Sequence, residues 1–215
     1  MKIIGFDIET IPQQKALTRS QQDWLDKKLE FALAKAPSYE DREETKRRIM
    51  ATTPYLGEIV CISLGEVQGS KINAESFIGE EKDLLKRFWE VIGGVSNGLY
   101  VSFNGLKFDV NFIVMRSMYH KILPTNKSFL NTSKFRKFPH FDVMAWMADW
   151  GYPSPTLDIA CDIAGVVSSK EGEIKAKDVA QAFEDGKIDQ IAEYCEEDVR
   201  ATLEVYLQFK NYVRD

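Results

Sequence analysis

The chain has 215 residues, 44% hydrophobic and 28% charged, with a net charge of −5 and a pI near 5.3, a balance ordinary for one soluble, well-cored domain. No apolar run approaches the roughly 18 residues of a membrane span. Two histidines exclude a His-rich metal site, and three cysteines (Cys61, Cys161, Cys195) outside any CxxC spacing read as reduced core thiols of a cytoplasmic protein, not a disulfide frame or zinc site.

The N-terminal stretch MKIIGFDIET reads as a buried strand through Ile3, Ile4, Phe6 and Ile8. Asp7 and Glu9 interrupt its apolar character, so no signal peptide is expected there. Because side chains alternate along a strand, these two acids leave one face about 7 Å apart. Uncompensated carboxylates on a central strand cost several kcal/mol each or take up protons, so something positive should meet them.

Residues 13–55 carry two amphipathic helical segments. Trp24, Leu25, Leu29 and Leu33 form a stripe on the first. Ser38–Asp41 offers a capping box to the second, with Glu43→Arg47 and Glu44→Arg48 as i,i+4 pairs. They form either a solvated helical hairpin on the domain edge or a lid and strand guide, leaving the chain directly after Glu9, with a surface for a protein partner. Strand signals follow at 57–66, 72–78 and 98–103, and helical patterns at 80–92, 109–120, 142–149, 156–164, 176–184 and 188–212. The order predicts an α/β fold with a mixed sheet and helices on both faces, in a single domain spanning 1–215 with 13–55 as a helical insertion.

In SFNGLKFDV (102–110) a strand ends, Asn104-Gly105 turns, and Asp109 opens a helix, where it is either a dipole-favoured first-turn acid or part of a site. A second FDV at 141–143 makes Asp142 a competitor; the strand-and-turn context favours Asp109, and Asp142 reads as the N-cap of the next helix. In YCEEDVRAT (194–202) Tyr194 and Asp198 share a helix face. At about 100° per residue Asp198 lies roughly 60° from Cys195, on the margin of the apolar stripe, where it is either a partly exposed helix acid beside a boundary tyrosine or part of a core-facing site. His140 reads as structural or peripheral. The segment KSFLNTSKFRKF (127–138) interleaves basic residues with phenylalanines and has no acid: either a single-strand groove or a loop with core rings and solvated charges. Ser168–Lys170 reads as a plain surface loop or, alternatively, as a phosphate contact.

Four carboxylates and a tyrosine without clustered histidines or paired thiols suit Mg²⁺ or Mn²⁺, and two such ions form a phosphodiester-cleaving device. FDIET, NGLKFD and YCEED, in that order, resemble the three motifs of the DEDD superfamily of 3′–5′ exonucleases. The tyrosine four residues before the last aspartate is similar to the DEDDy branch. The closest likeness is to the proofreading exonuclease domain of family B DNA polymerases, in a stand-alone bacterial form, over residues 1–10 and about 57–212. The resemblance implies a ribonuclease H-like fold with a five-stranded mixed sheet. It implies that Asp7, Glu9 and Asp198 hold the ion that activates water, that Asp7 bridges to a second ion held with Asp109, and that Tyr194 orients the water. Thr10 and Asn104 would flank the 3′-terminal nucleotide, with Phe108 packed near it. The implied product is a nucleoside 5′-monophosphate released from a single-stranded 3′ end, with DNA preferred to RNA; an exoribonuclease and an idle nucleic-acid-binding module are the alternatives. No polymerase domain follows in this sequence, so proofreading coupled within one chain is not expected. The 13–55 insertion also departs from the family pattern, in which the strand hairpin is direct.

Overall fold

The structure, a computed structural model, describes residues 1–35, 41–151, 153–168 and 174–213. Five strands, β1 (Lys2–Pro12), β2 (Gly57–Gln68), β3 (Lys71–Ile78), β4 (Gly98–Ser102) and β5 (His140–Asp142), form one sheet in the order β3-β2-β1-β4-β5. β1 is central. It pairs antiparallel with β2, which pairs antiparallel with β3, and parallel with β4, which pairs parallel with β5. This is the expected α/β arrangement with a five-stranded mixed sheet. The fifth strand had no pattern of its own in the sequence, because three residues are too few to show alternation.

One face of β1 presents Ile4, Phe6 and Ile8 to α3 (Glu81–Gly93) and α4 (Asp109–Tyr119), around Phe88, Trp89, Phe112 and Phe129. A part-buried trio fastens these helices to β2. Glu81 accepts from Ile59 N and Arg116 Nε through one oxygen, both at 2.8 Å, and contacts Arg116 Nη2 and His120 Nε2 through the other, both at 2.6 Å.

The other face is covered by α8 (Ile188–Phe209). Gly5 of β1 and Gly65 of β2 are cross-strand partners under this helix. A Cβ on either would come within 2.7 Å of it, at Leu203 and Val199 respectively. The two missing side chains are therefore what lets α8 lie close to the sheet. α5 (Val143–Met147), α6 (Leu157–Ala164) and α7 (Val179–Glu184) complete this layer.

The segment after β1 holds α1 (Arg19–Lys35) and α2 (Arg42–Ala51), packed on each other and, through α2, on β1. α1 buries Leu25 and Leu29, and Trp24 meets Tyr55 edge-on at 4.9 Å. Asp41 is the N-cap of α2, accepting from Glu43 N at 2.7 Å; the Ser38–Glu40 part of the anticipated capping box lies outside the described residues. Arg47 pairs with Glu184 of α7 instead of Glu43, which sits 3.8 Å from Lys46. No helix among the described residues is long and apolar enough to cross a membrane.

Candidate active site

β1 follows β2 along its length but pairs with β4 only from Lys2 to Gly5. Beyond Gly5 its β4 side is open, and Ile8 N–H donates there to Asp109 Oδ1 at 3.1 Å. Asp109 reaches that gap because the chain turns sharply after β4. Asn104 takes a left-handed φ of 66°, which asparagine tolerates well. A Cβ on Gly105 would lie 2.3 Å from Ser102 Oγ, so only glycine fits there. The turn is braced by Asp142: Oδ1 accepts from Asn104 N and Ala145 N at 3.0 Å each, and Oδ2 from Leu106 N at 3.1 Å. Asp142 is thus the N-cap of α5, as its position suggests, and a strut for the loop that delivers Asp109.

α8 supplies the other half. Tyr194 and Cys195 are buried and Asp198 is half-buried, as expected for a carboxylate at the margin of the stripe. The Tyr194 hydroxyl hydrogen-bonds to Asp198. The Cys195 thiol donates to Asp7 Oδ2 at 3.4 Å. Asp7, Glu9 and Cys195 each present one ligand atom, all within 4.8 Å of one another.

The electrostatics of this cluster are those of acids crowded out of water. Burial, and then the charges of Asp109, Glu9 and Asp198, hold the Asp7 carboxyl well above the ordinary carboxylate range. Glu9 is raised for the same reasons, by burial first and then by Asp198. Burial pushes Asp109 up to about 7 against hydrogen bonds from backbone N–H groups and from Asp7. Burial and the neighbouring Asp198, Glu9 and Asp7 charges raise Tyr194, which keeps its proton. Cys195 is raised too, by burial and by its hydrogen bond with Cys61, so it presents an S–H donor and not a thiolate. The set fits a hard divalent cation: its oxygen donors are the preferred type, and the surplus negative charge that drives the carboxyls to hold protons is what such an ion neutralises.

The remaining anticipated site residues lie on the segments that carry the acids. Thr10 follows Glu9 past a bulge, with Glu9 opposite Cys61 and Thr10 opposite Ile59, and its hydroxyl donates to Ala51 O at 2.8 Å. Asn104 forms the turn, and Phe108 stands directly before Asp109 with its ring 5.4 Å from Phe112. His140 is spent in the core: Nε2 donates to Phe129 O at 2.7 Å, and burial pushes its pKa down to about 4. Sequence reasoning missed the contact between Cys195 and Asp7. The signal available was that Cys195 follows Tyr194 on the apolar stripe of a helix that must cover the first strand.

A family model of predicted 3′–5′ exonucleases related to the exonuclease domain of PolB matches residues 54–214. The chain belongs to this family. The matched span holds Asp109, Tyr194 and Asp198, while Asp7 and Glu9 lie ahead of it. A DNA polymerase of Pyrococcus glycovorans is 23% identical over 174 residues, covering 71% of this chain and 22% of the polymerase. The family B DNA polymerase of the archaeon Pyrobaculum calidifontis superposes with a TM-score of 0.65 at 16% identity, over 98% of this chain and 25% of that one. The fold is therefore the ribonuclease H-like one of a PolB exonuclease, and the chain spans a quarter or less of the polymerases it matches. It is a PolB-like 3′–5′ exonuclease domain, and domains of this kind use divalent metals.

Proposed function

We propose that this domain hydrolyses phosphodiester bonds at single-stranded DNA 3′ ends and releases nucleoside 5′-monophosphates. The observation that carries the reading is the convergence of Asp7 and Glu9 from β1, Asp109 from the head of α4, and Asp198 with Tyr194 from α8. In this reading Asp7, Glu9 and Asp198 hold one Mg²⁺ or Mn²⁺ ion, and Asp7 with Asp109 holds a second. Bound there, the ions supply activation of water and neutralisation of phosphate charge. Tyr194, protonated and tied to Asp198, aims its hydroxyl at the water. Thr10 and Asn104 border the terminal nucleotide, and Phe108 packs near it. The Cys195 S–H fixes the Asp7 oxygen it touches. The thiol, Ile8 N–H and the Tyr194 hydroxyl hold the carboxylates in place before substrate arrives, which lowers the cost of assembling the site.

Matched DNA and RNA oligomers labelled at the 5′ end, incubated with Mg²⁺ or Mn²⁺, test this directly. Shortening from the 3′ end, faster on DNA, is expected, with loss of at least about 100-fold in Asp7→Asn and Asp198→Asn. Removing one acid from a repelling cluster should leave the fold intact and hold or raise the melting temperature in chelator. Faster loss of RNA would favour the exoribonuclease reading. Binding of single strands with no nucleotide released under either metal would leave only a binding module.

A further inference from the structure

The connection from α4 to β5 is pinned at both ends and exposed between them. At its start the Asn126 side-chain nitrogen lies 2.8–2.9 Å from the oxygens of Ile92, Val95 and Tyr100, and Phe129 is fully buried among Phe6, Phe88, Trp89 and Tyr100. At its end His140 enters β5. The intervening rings do not join the core: Phe135 is 73% exposed and Phe138 50%. Phe135 adopts a φ of 65° and lies 5.4 Å from the Trp150 ring. Lys134 and Arg136 beside it are exposed, and residues 127–138 hold no acid in a chain of net charge −5. With Met1, Leu99, Lys137 and Lys210 these rings line a groove of about 630 Å³. Two phenylalanines exposed within four residues, each flanked by a cation, are costly for a solvated loop and suited to a partner with flat apolar faces and negative charge.

The groove sits at the C-terminal end of α8 and the N-terminal edge of β1, whereas Asp198 lies in the other half of α8 and Asp7 farther along β1. The strand and helix rises put its lining about 12–20 Å from the acid cluster, so it does not line the candidate active site.

We propose that this groove is a second contact site for single-stranded nucleic acid, in which Phe135 and Phe138 stack bases and Lys134, Arg136 and Lys210 meet phosphates. Stacking with phosphate neutralisation is the sequence-tolerant mode of single-strand binding, and the local basic charge offsets the repulsion of an acidic molecule. The proposal rests on the nuclease reading only in that one strand would span both places, over about four to six nucleotides at a stacked rise of ~3.4 Å.

Anisotropy in chelator, with the whole chain and fluorescein-labelled oligothymidylates, tests it. For a strand of about 20 nucleotides, Phe135→Ala/Phe138→Ala should weaken binding about 10-fold or more. Lys134→Ser/Arg136→Ser should lower the slope of log affinity against log salt by about 1.4. If both variants keep parental affinity and salt slope on the long strand, the groove serves another partner, such as an acidic protein surface, and the proposal falls. Loss of long-strand affinity in a protein that shortens no oligomer would uphold the groove and sink the nuclease reading instead.

Discussion

The Tyr194 hydroxyl has a single proton, and three acidic neighbours together with burial keep it in place. Such a group can donate to Asp198 or to a water beside it, but it does not ionise in the working range. Tyr194→Phe removes the donor and keeps the ring, so steady-state kinetics should show kcat falling about 10–100-fold with KM near the parent value; turnover at the parental rate would end that assignment. Cys195 acts one step further back, through Asp7. Cys195→Ala should raise the Mn²⁺ concentration for half-saturation about 10-fold by calorimetry, within the range for outer-shell partners, and Cys195→Ser, which keeps a donor, should restore most of it. Equal affinity in both variants would mean that the thiol only fills space. The acids and Tyr194 were expected to share a site only because FDIET, NGLKFD and YCEED occur in that order; each alone also read as an ordinary strand, cap or helix residue. The contact of the thiol with Asp7 was not foreseen: the two lie 188 residues apart, and the place of Cys195 on the apolar stripe pointed to the first strand without singling out Asp7.

At the scale of elements, the site depends on how closely α8 rides over β1 and β2. Gly5 and Gly65 lie opposite each other under Leu203 and Val199, two residues along their strands from Asp7 and Ser63. Gly5→Ala places a methyl against the Leu203 branch carbon, which cannot swing aside as a side-chain tip could, so the helix must lift. That overpacking should cost about 1–3 kcal/mol in urea unfolding. Because the same displacement carries Asp198 and Tyr194 away from Asp7, kcat should fall by more than the stability loss alone would cause. Unchanged kcat with lowered stability would show that the helix tolerates the shift. Long elements of this kind were visible in the sequence, as the patterns at 57–66, 109–120 and 188–212 show. β5 was not. Its three residues are held by pairing with β4 and by the bonds Asp142 makes to the 104–106 turn, both of which belong to the assembled fold. Residues 127–138 divide in a way that composition could not settle: Phe129 is core, Phe135 and Phe138 are surface, and only the anchoring through Asn126 and β5 separates them.

For the whole molecule, the acid cluster makes stability depend on pH in an unusual direction. A carboxyl whose pKa is raised by folding binds protons in the native state that the unfolded chain has already released. Between the ordinary carboxylate range and the raised values, stability therefore falls as pH rises. Asp109, pushed up to about 7, sets a window from about pH 4 to just above pH 7, and the raised Asp7 and Glu9 act in the same sense. In chelator the melting temperature should thus be lower at about pH 8 than at about pH 5.5, at ~2–4 °C for each kcal/mol in a chain of this size. Mg²⁺ or Mn²⁺, binding the native cluster and not the unfolded chain, should restore the loss at the higher pH and add little at the lower, where protons already occupy the carboxyls. Asp7→Asn removes one of the repelling charges, so its melting temperature in chelator should depend less on pH than the parent's. If parent and variant show the same pH slope, the carboxyls do not share one site, and the metal requirement inferred from their crowding loses its basis.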